Sequence, residues 1–283
     1  MYGNTLSESF IGVAIRGRRD SFVIASKVGL TPAANASGQF GVATVSLNEA
    51  VIRKSVDSSL AALNIDRLDL LQLHAFDNSV PIHDTLSALE KLIREGKIRW
   101  VGCSNYDHEQ LQAVGRAVHE RDFSFMVSLQ SHYNVLERRL ERDLLPLCKD
   151  YELGILCYRA LARGILNNKY RPGEPPPPGS RGASSARVRN RLSSETFALV
   201  SRLDDFARQR GHTAGELAIA WLTAQPHVSA MLLGMRTPEQ VHENVNAAGW
   251  MLGADELQVL DGVVAACGLT EKVSSDPSVF LET

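Results

Sequence analysis

The 283-residue sequence contains no uninterrupted apolar stretch of the roughly 18 residues that a membrane-spanning helix needs, so no membrane partner is expected. Cysteine is scarce: Cys103, Cys148, Cys157 and Cys267 form no CxxC pair and have no metal-ligand spacing. That excludes a disulfide framework and a zinc site, and suits reduced thiols in a cytoplasmic protein. Charge of one sign is also missing. A formal net charge of −2 gives no reason to expect nucleic acid or an anionic membrane surface as the main partner. The opening MYGNTLSESF has neither the basic start nor the apolar core of a secretory signal, which again leaves a cytoplasmic protein as the expectation.

What is present is an alternation of short β-branched runs with amphipathic helices. The strand candidates are SFVIASKV (21–28), LDLLQLHA (68–75), IRWVGCSN (98–105), FMVSLQ (125–130), GILCYRA (154–160) and VSAMLLG (228–234). Between them, Ile52, Val56, Leu60 and Leu63 make one apolar helix stripe, and Ile82, Leu86, Leu89 and Ile93 make another. Two further helices are read at 194–210 and 213–224, the second opened by Thr213 as its cap. Strands that read as near-continuous apolar runs are covered on both faces, as parallel strands are. The class is α/β.

Each run ends in a polar or otherwise atypical residue: Lys27, His74, Ser104 with Asn105, Gln130, Tyr158 and Gly234. In a closed (β/α) barrel all strand C-termini meet at one mouth, whereas an open sheet brings such residues together only near a switch point. No GxGxxG follows any strand, so the open dinucleotide fold has no support and a (β/α)8 TIM-type barrel is predicted. Such a barrel has eight strands and six are visible. The long stretch 162–227 holds a Pro/Gly/Arg-rich loop at 171–193 and the two helices, not strands, while Tyr2 to Arg16 reads as a loop and a helix. The expectation is therefore one barrel domain over 1–283, incomplete at its N-terminal side.

The run Tyr2-Gly3, Ser7-Glu8, Lys27, His74 in LLQLHAFD, GCSN at 102–105, Gln130, Tyr133-Asn134 and GMRTPEQVHEN at 234–244 resembles the aldo-keto reductase family. In style it is closer to the long bacterial and potassium-channel β-subunit-like members. The resemblance implies NADP(H)-dependent reduction of aldehydes or ketones, with a small-molecule carbonyl compound as partner. It implies Tyr2 as proton donor, Lys27 as the cation that favours tyrosinate, and His74 as a hydrogen-bond donor to the carbonyl oxygen.

Cofactor contacts carry over in the same way. Ser104, Asn105 and Gln130 would hold the nicotinamide carboxamide, which needs both donors and acceptors. Tyr158 would stack on the ring. Where the family usually has Ser-Pro-Leu, this chain has Arg159-Ala160-Leu161, so Arg159 and Leu161 stand at the pyrophosphate loop, with Arg163 a further source of charge. Gly234 opens the approach to a helix starting near Pro238, a natural anion site. Arg236 and Thr237 would take the 2′-phosphate, and Gln240, Glu243 and Asn244 the adenine side. His132 and Cys103 are expected as neighbours of the site without chemical duties.

The resemblance also places an Asp, paired with the lysine, on a strand before Tyr-Gly. This sequence begins one residue before Tyr2, so the chain is expected to be an N-terminally truncated member, impaired in activity, with open strand edges that invite self-association. Two other readings stand beside it. One is a nucleotide-binding pseudoenzyme or channel β-subunit-like regulatory module. The other, an unrelated barrel such as a phosphate-substrate isomerase, has no place for the Ser104-Asn105, Gln130 and Glu243-Asn244 set.

Overall fold

The computed structural model describes residues 6–31 and 44–267. In chain order its first elements are α1 (Leu6–Ala14), β1 (Ala25–Val28), a hairpin of β2 (Leu30–Thr31) and β3 (Thr44–Val45), α2 (Glu49–Leu63), β4 (Leu68–Leu73) and α3 (Ile82–Arg94). Then come β5 (Ile98–Ser104), α4 (His108–Glu120), β6 (Met126–His132), α5 (Arg139–Asp143), α6 (Leu145–Asp150) and β7 (Gly154–Tyr158). The chain continues through α7 (Arg181–Ser184), α8 (Ala186–Arg189), α9 (Ser194–Arg208), α10 (Ala214–Thr223), β8 (Val228–Leu232), α11 (Pro238–Ala248) and α12 (Ala254–Ala266). Six strands of the βαβ series fall within the six predicted runs, apart from a two-residue extension of β6 to His132. The hairpin was not foreseen. The loop at 171–193 contains two single turns, α7 and α8, capped by Ser180 and Ser185.

Residue contacts divide the chain into two compact units. The first, up to Gln130 with Pro146–Gly154, carries four parallel strands in the order β1-β4-β5-β6. Its helices bury the stripes the sequence shows: Ile52, Val56, Leu60 and Leu63 on α2 are buried, as are Leu86, Leu89 and Leu92 on α3. Ile82 and Ile93 are only half-buried, because the buried face of α3 runs through Thr85, Ala88 and Leu92 instead. Each fully buried Leu or Ile contributes about 1.5–3 kcal/mol. Asp69 at the start of β4 ties down the approach to β1: it accepts the Ile24 N–H at 2.8 Å and pairs with Arg19 at 2.6 Å.

Register explains which side chains face the chemistry. Lys27, Gln72, Gly102 and Ser128 are partners in one row across the four strands. The next row, Val28, Leu73, Cys103 and Leu129, is buried and apolar, so it is the face under the helices. One step further, Ser104 partners Gln130. Side chains alternate along a strand, so Gln72 and His74, Gly102 and Ser104, and Ser128 and Gln130 share one face. Gly102 is required there: a Cβ would collide with Ser128 Oγ and come 3.2 Å from Gln72 Cδ.

The second unit, Ser131–Leu145 with Ile155 onward, holds the parallel pair β7 and β8. Its core is built on α9 and α10, where buried Trp221 meets Tyr133 edge-on at 5.3 Å. The expected cap is present: Thr213 and Glu216 form a reciprocal capping box at the start of α10.

Candidate active site

In the first unit, the strand ends are bound to each other through polar groups. The Asn105 N–H donates to the Gln130 carbonyl at 3.1 Å, and its side-chain amide donates to the His74 carbonyl at 3.0 Å and to Ser104 Oγ at 3.1 Å. The His74 N–H in turn donates to the Val28 carbonyl at 2.9 Å. Asn105 takes φ 61°, a left-handed conformation that Asn tolerates better than most side chains. His74, Ser104, Asn105 and Gln130 are thereby brought together at the ends of three neighbouring parallel strands, with Lys27 on the fourth. Tyr2, the expected proton donor, lies outside the described residues.

Among the described residues, Gln72 Oε1 and Gln130 Oε1 are two of the five buried side-chain polar atoms without a hydrogen-bond partner, beside Tyr106 Oη, Arg121 Nε and Glu137 Oε2. An orphaned buried carbonyl costs about 1–3 kcal/mol, so a site that keeps one is suited to a ligand that satisfies it. The Gln130 acceptor fits the amide N–H of a carboxamide, beside the hydroxyl of Ser104. Gln72, whose Nε2 lies 3.4 Å from Ser128 Oγ, was not singled out from the sequence. The signal was available in its spacing, since Gln72 and Ser128 stand two residues before His74 and Gln130 on the same face.

Electrostatics in this unit favour a neutral imidazole. Burial, and then the Lys27 ammonium, push the His74 pKa down to about 3, and burial lowers that of Lys27. A neutral His74 keeps one ring N–H to donate. The same shift makes stability depend on pH. The folded pKa lies below the ordinary value of 6.5, so this contribution is complete above 6.5 and is lost as pH falls from there toward 3. His132, held neutral by burial and then by Arg159, Arg191 and Arg163, acts in the same direction. Thermal melts should therefore show the chain losing about 2 kcal/mol at pH 5 relative to pH 8 through His74 alone. His74→Gln should flatten that acid limb, and an unchanged limb would contradict the assignment.

In the second unit, Tyr158 ends β7 half-buried and stacks on His132 at 5.6 Å, while Arg159 Cζ lies 5.4 Å from the Tyr158 ring. Buried Asn134 holds this corner: its Nδ2 donates to the Arg159 carbonyl at 2.9 Å and lies 3.1 Å from His132 Nε2. Leu161 accepts the Gly164 N–H at 2.7 Å, which folds the following loop back. Beyond β8, Gly234, Arg236 and Thr237 are exposed, and Thr237 caps α11 with Pro238 in its first turn. Gln240 Oε1 accepts the Arg236 N–H at 2.8 Å, so Gln240 shapes the turn before α11. Gln240, Glu243 and Asn244 lie at i, i+3 and i+4 and share one stripe of that helix. Among the described residues no cluster of His, Cys, Asp or Glu could hold a metal ion, and no helix is long and apolar enough to cross a membrane.

The arrangement of polar strand ends on parallel βα units agrees with comparisons to known proteins. The model of the Aldo/keto reductase family matches residues 1–265. The chain belongs to the aldo/keto reductase family. An aldo-keto reductase of Fusarium vanettenii is 32% identical over 77% of this chain and 58% of its own length. Aldo-keto reductase YhdN of Bacillus subtilis is 30% identical over 98% of this chain and 79% of its own. The chain thus spans between just over half and four-fifths of these two relatives. A solved structure of a glycerol dehydrogenase from Gluconobacter oxydans superposes with a TM-score of 0.82 at 28% identity, covering 97% of this chain and 81% of that one. The α/β fold with six parallel strands is therefore that of the family's barrel proteins.

Proposed function

We propose that this family member reduces the carbonyl group of small aldehydes or ketones with NADPH. The observation that carries the proposal is the hydrogen-bonded set His74, Ser104, Asn105 and Gln130 with its unsatisfied buried acceptor. Carbonyl reduction needs a hydride, which a reduced nicotinamide supplies when bound, and a proton at the oxygen, where negative charge develops. In this reading Ser104, Asn105 and Gln130 hold the carboxamide, and Tyr158 supports the ring. Tyr2 donates the proton, and Lys27 lowers the cost of the tyrosinate left behind. Neutral His74 donates to the carbonyl oxygen and fixes its direction. The reading places the reaction in the cytoplasm, which four free cysteines suit.

Preference for NADPH rests on Arg236 and Thr237 before α11, where a cation and a helix start favour a phosphate. A charge-assisted contact contributes about 1.5–3 kcal/mol. Fluorescence titration should therefore give NADPH at least about tenfold tighter binding than NADH, and Arg236→Ala should erase most of that gap. The reductase reading itself is tested by the loss of NADPH absorbance with a reactive aromatic aldehyde. Cofactor binding with no turnover of any carbonyl compound would favour a regulatory nucleotide-binding role instead.

Self-association is part of the proposal. Phe10, Val13 and Val23 in the first unit, and Val245 and Met251 in the second, are each 65% exposed or more. Apolar side chains so placed attract a covering surface. Sedimentation should show a mass that rises with protein concentration; a single species at the monomer mass would remove this element.

A further inference from the structure

Asp77 is a buried carboxylate to which the chemistry above gives no role. It follows His74 by three residues, in the loop that leaves β4. Its Oδ1 accepts the Ser79 N–H at 2.8 Å and the Ser79 hydroxyl at 2.6 Å, which shapes its own turn. Its Oδ2 accepts the Leu47 N–H at 2.8 Å, from a residue 30 positions away in the chain. Thr85, buried near the start of α3, donates its hydroxyl to the Leu47 carbonyl at 3.2 Å. Both backbone polar groups of Leu47 are therefore held by side chains from the segment after β4. Leu47 stands where the hairpin returns: the Ser46 N–H donates to the Gly29 carbonyl at 2.8 Å, and a Cβ on Gly29 would collide with Leu47 Cδ2.

A turn such as 77–80 needs no charge, because Asn or Ser serves it as well. A buried carboxylate, by contrast, is costly unless several donors meet it. Burial alone would raise the Asp77 pKa; the bonds from Ser79, Leu47 and Val80 outweigh it and hold the carboxyl below its ordinary range, so it stays ionised. What that charge secures beyond its own turn is Leu47. The two segments so joined carry the groups given to the reaction. Lys27 lies two residues before Gly29 on β1, and His74 ends the run of β4. Their backbones already meet where the His74 N–H donates to the Val28 carbonyl at 2.9 Å. Asp77 and Thr85 add a second tie on the far side of the hairpin base.

We propose that Asp77 is a positioning residue for the reduction: with Thr85 it clips Leu47 to the segment after β4, and so fixes Lys27 and His74 relative to each other. This rests on the reductase reading and adds a residue to it. Small misplacements of reacting groups are costly in rate, about a hundredfold for 1 Å. At a temperature where melting curves show every variant folded, Asp77→Asn should lower kcat about ten- to hundredfold and leave NADPH affinity within about threefold of the parent. The amide keeps the shape but turns a donor toward either Leu47 or Ser79. Thr85→Val, which frees the Leu47 carbonyl and leaves the Asp77 turn intact, should cost about three- to tenfold in kcat, and Thr85→Ser should restore it. In both weakened variants the pH profile of kcat should move upward, as for a phenol that feels less of the Lys27 charge. Added to Asp77→Asn, Thr85→Val should cost less than about twofold more, since both release the same residue. A folded Asp77→Asn chain with lower melting temperature but unchanged kcat and pH profile would overturn the proposal and leave Asp77 a brace of the fold. An equal loss of NADPH affinity would overturn it as well. If Asp77→Asn does not fold, the Thr85→Val and Thr85→Ser pair decides by the same readings. If the parent turns over no carbonyl compound, the reductase reading fails, and nitrogen NMR of the His74 ring at pH 8, assigned by its loss in His74→Gln, tests the clip alone. Ring shifts that move in Thr85→Val and return in Thr85→Ser would uphold it; unmoved shifts would overturn it.

Discussion

Tyr2→Phe is expected to lower kcat for aldehyde reduction by about 10²–10⁴ while leaving NADPH affinity within about threefold of the parent. Phenylalanine keeps the ring and removes only the hydroxyl to which the proposed function gives the proton transfer. The carboxamide is assigned to Ser104, Asn105 and Gln130, whose positions are fixed by bonds among themselves and to His74. None of those bonds is made by the phenol. Lys27 supplies a second handle: in the proposed reading its half-buried ammonium lowers the phenol's pKa, so Lys27→Met should shift the pH profile of kcat upward where Tyr2→Phe abolishes its dependence on that ionisation. Single-turnover rates measured with saturating NADPH would separate the two. A Tyr2→Phe variant that loses rate and cofactor affinity together would make Tyr2 a structural residue.

How much of this was legible in the residues depends on where each one sits. His74, Ser104, Asn105 and Gln130 announce themselves because each interrupts an apolar run at its C-terminal end, where a buried strand has no other use for a polar side chain. Gln72 and Ser128 lie deeper in the same runs, and their shared face is hidden because the alternate positions, Leu71, Leu73 and Leu129, make the runs read as apolar throughout. Only the register, Lys27 with Gln72, Gly102 and Ser128, exposes that row. The hairpin of Leu30–Thr31 with Thr44–Val45 has two residues per strand and offers no periodicity to read. The arginines after β7 are plain as composition. The chain after β7 is turned by left-handed residues at Arg159, Ala162 and Arg163, and only Gly164, which follows them at φ 90°, marks that turn in the sequence.

Gln130 supports the second large expectation, in which two measurements move in opposite directions. Gln130 Oε1 is buried without a partner, and an acceptor left in that state costs about 1–3 kcal/mol in the cofactor-free chain. Gln130→Met keeps the length and most of the volume of the side chain while removing the unsatisfied carbonyl. The cofactor-free variant should therefore melt no lower than the parent, and higher if the full cost is recovered. The backbone bond from Asn105 to the Gln130 carbonyl survives the change, so the strand ends stay joined. NADPH affinity should fall by about ten- to hundredfold, since in the proposed reading the carboxamide loses the buried acceptor that would satisfy its N–H. A polar group that served only the fold would behave the other way, losing stability on substitution and leaving affinity nearly untouched. Melting curves with and without NADPH, read beside the titration, distinguish the two. A variant less stable than the parent with unchanged cofactor affinity would remove Gln130 from the nicotinamide site.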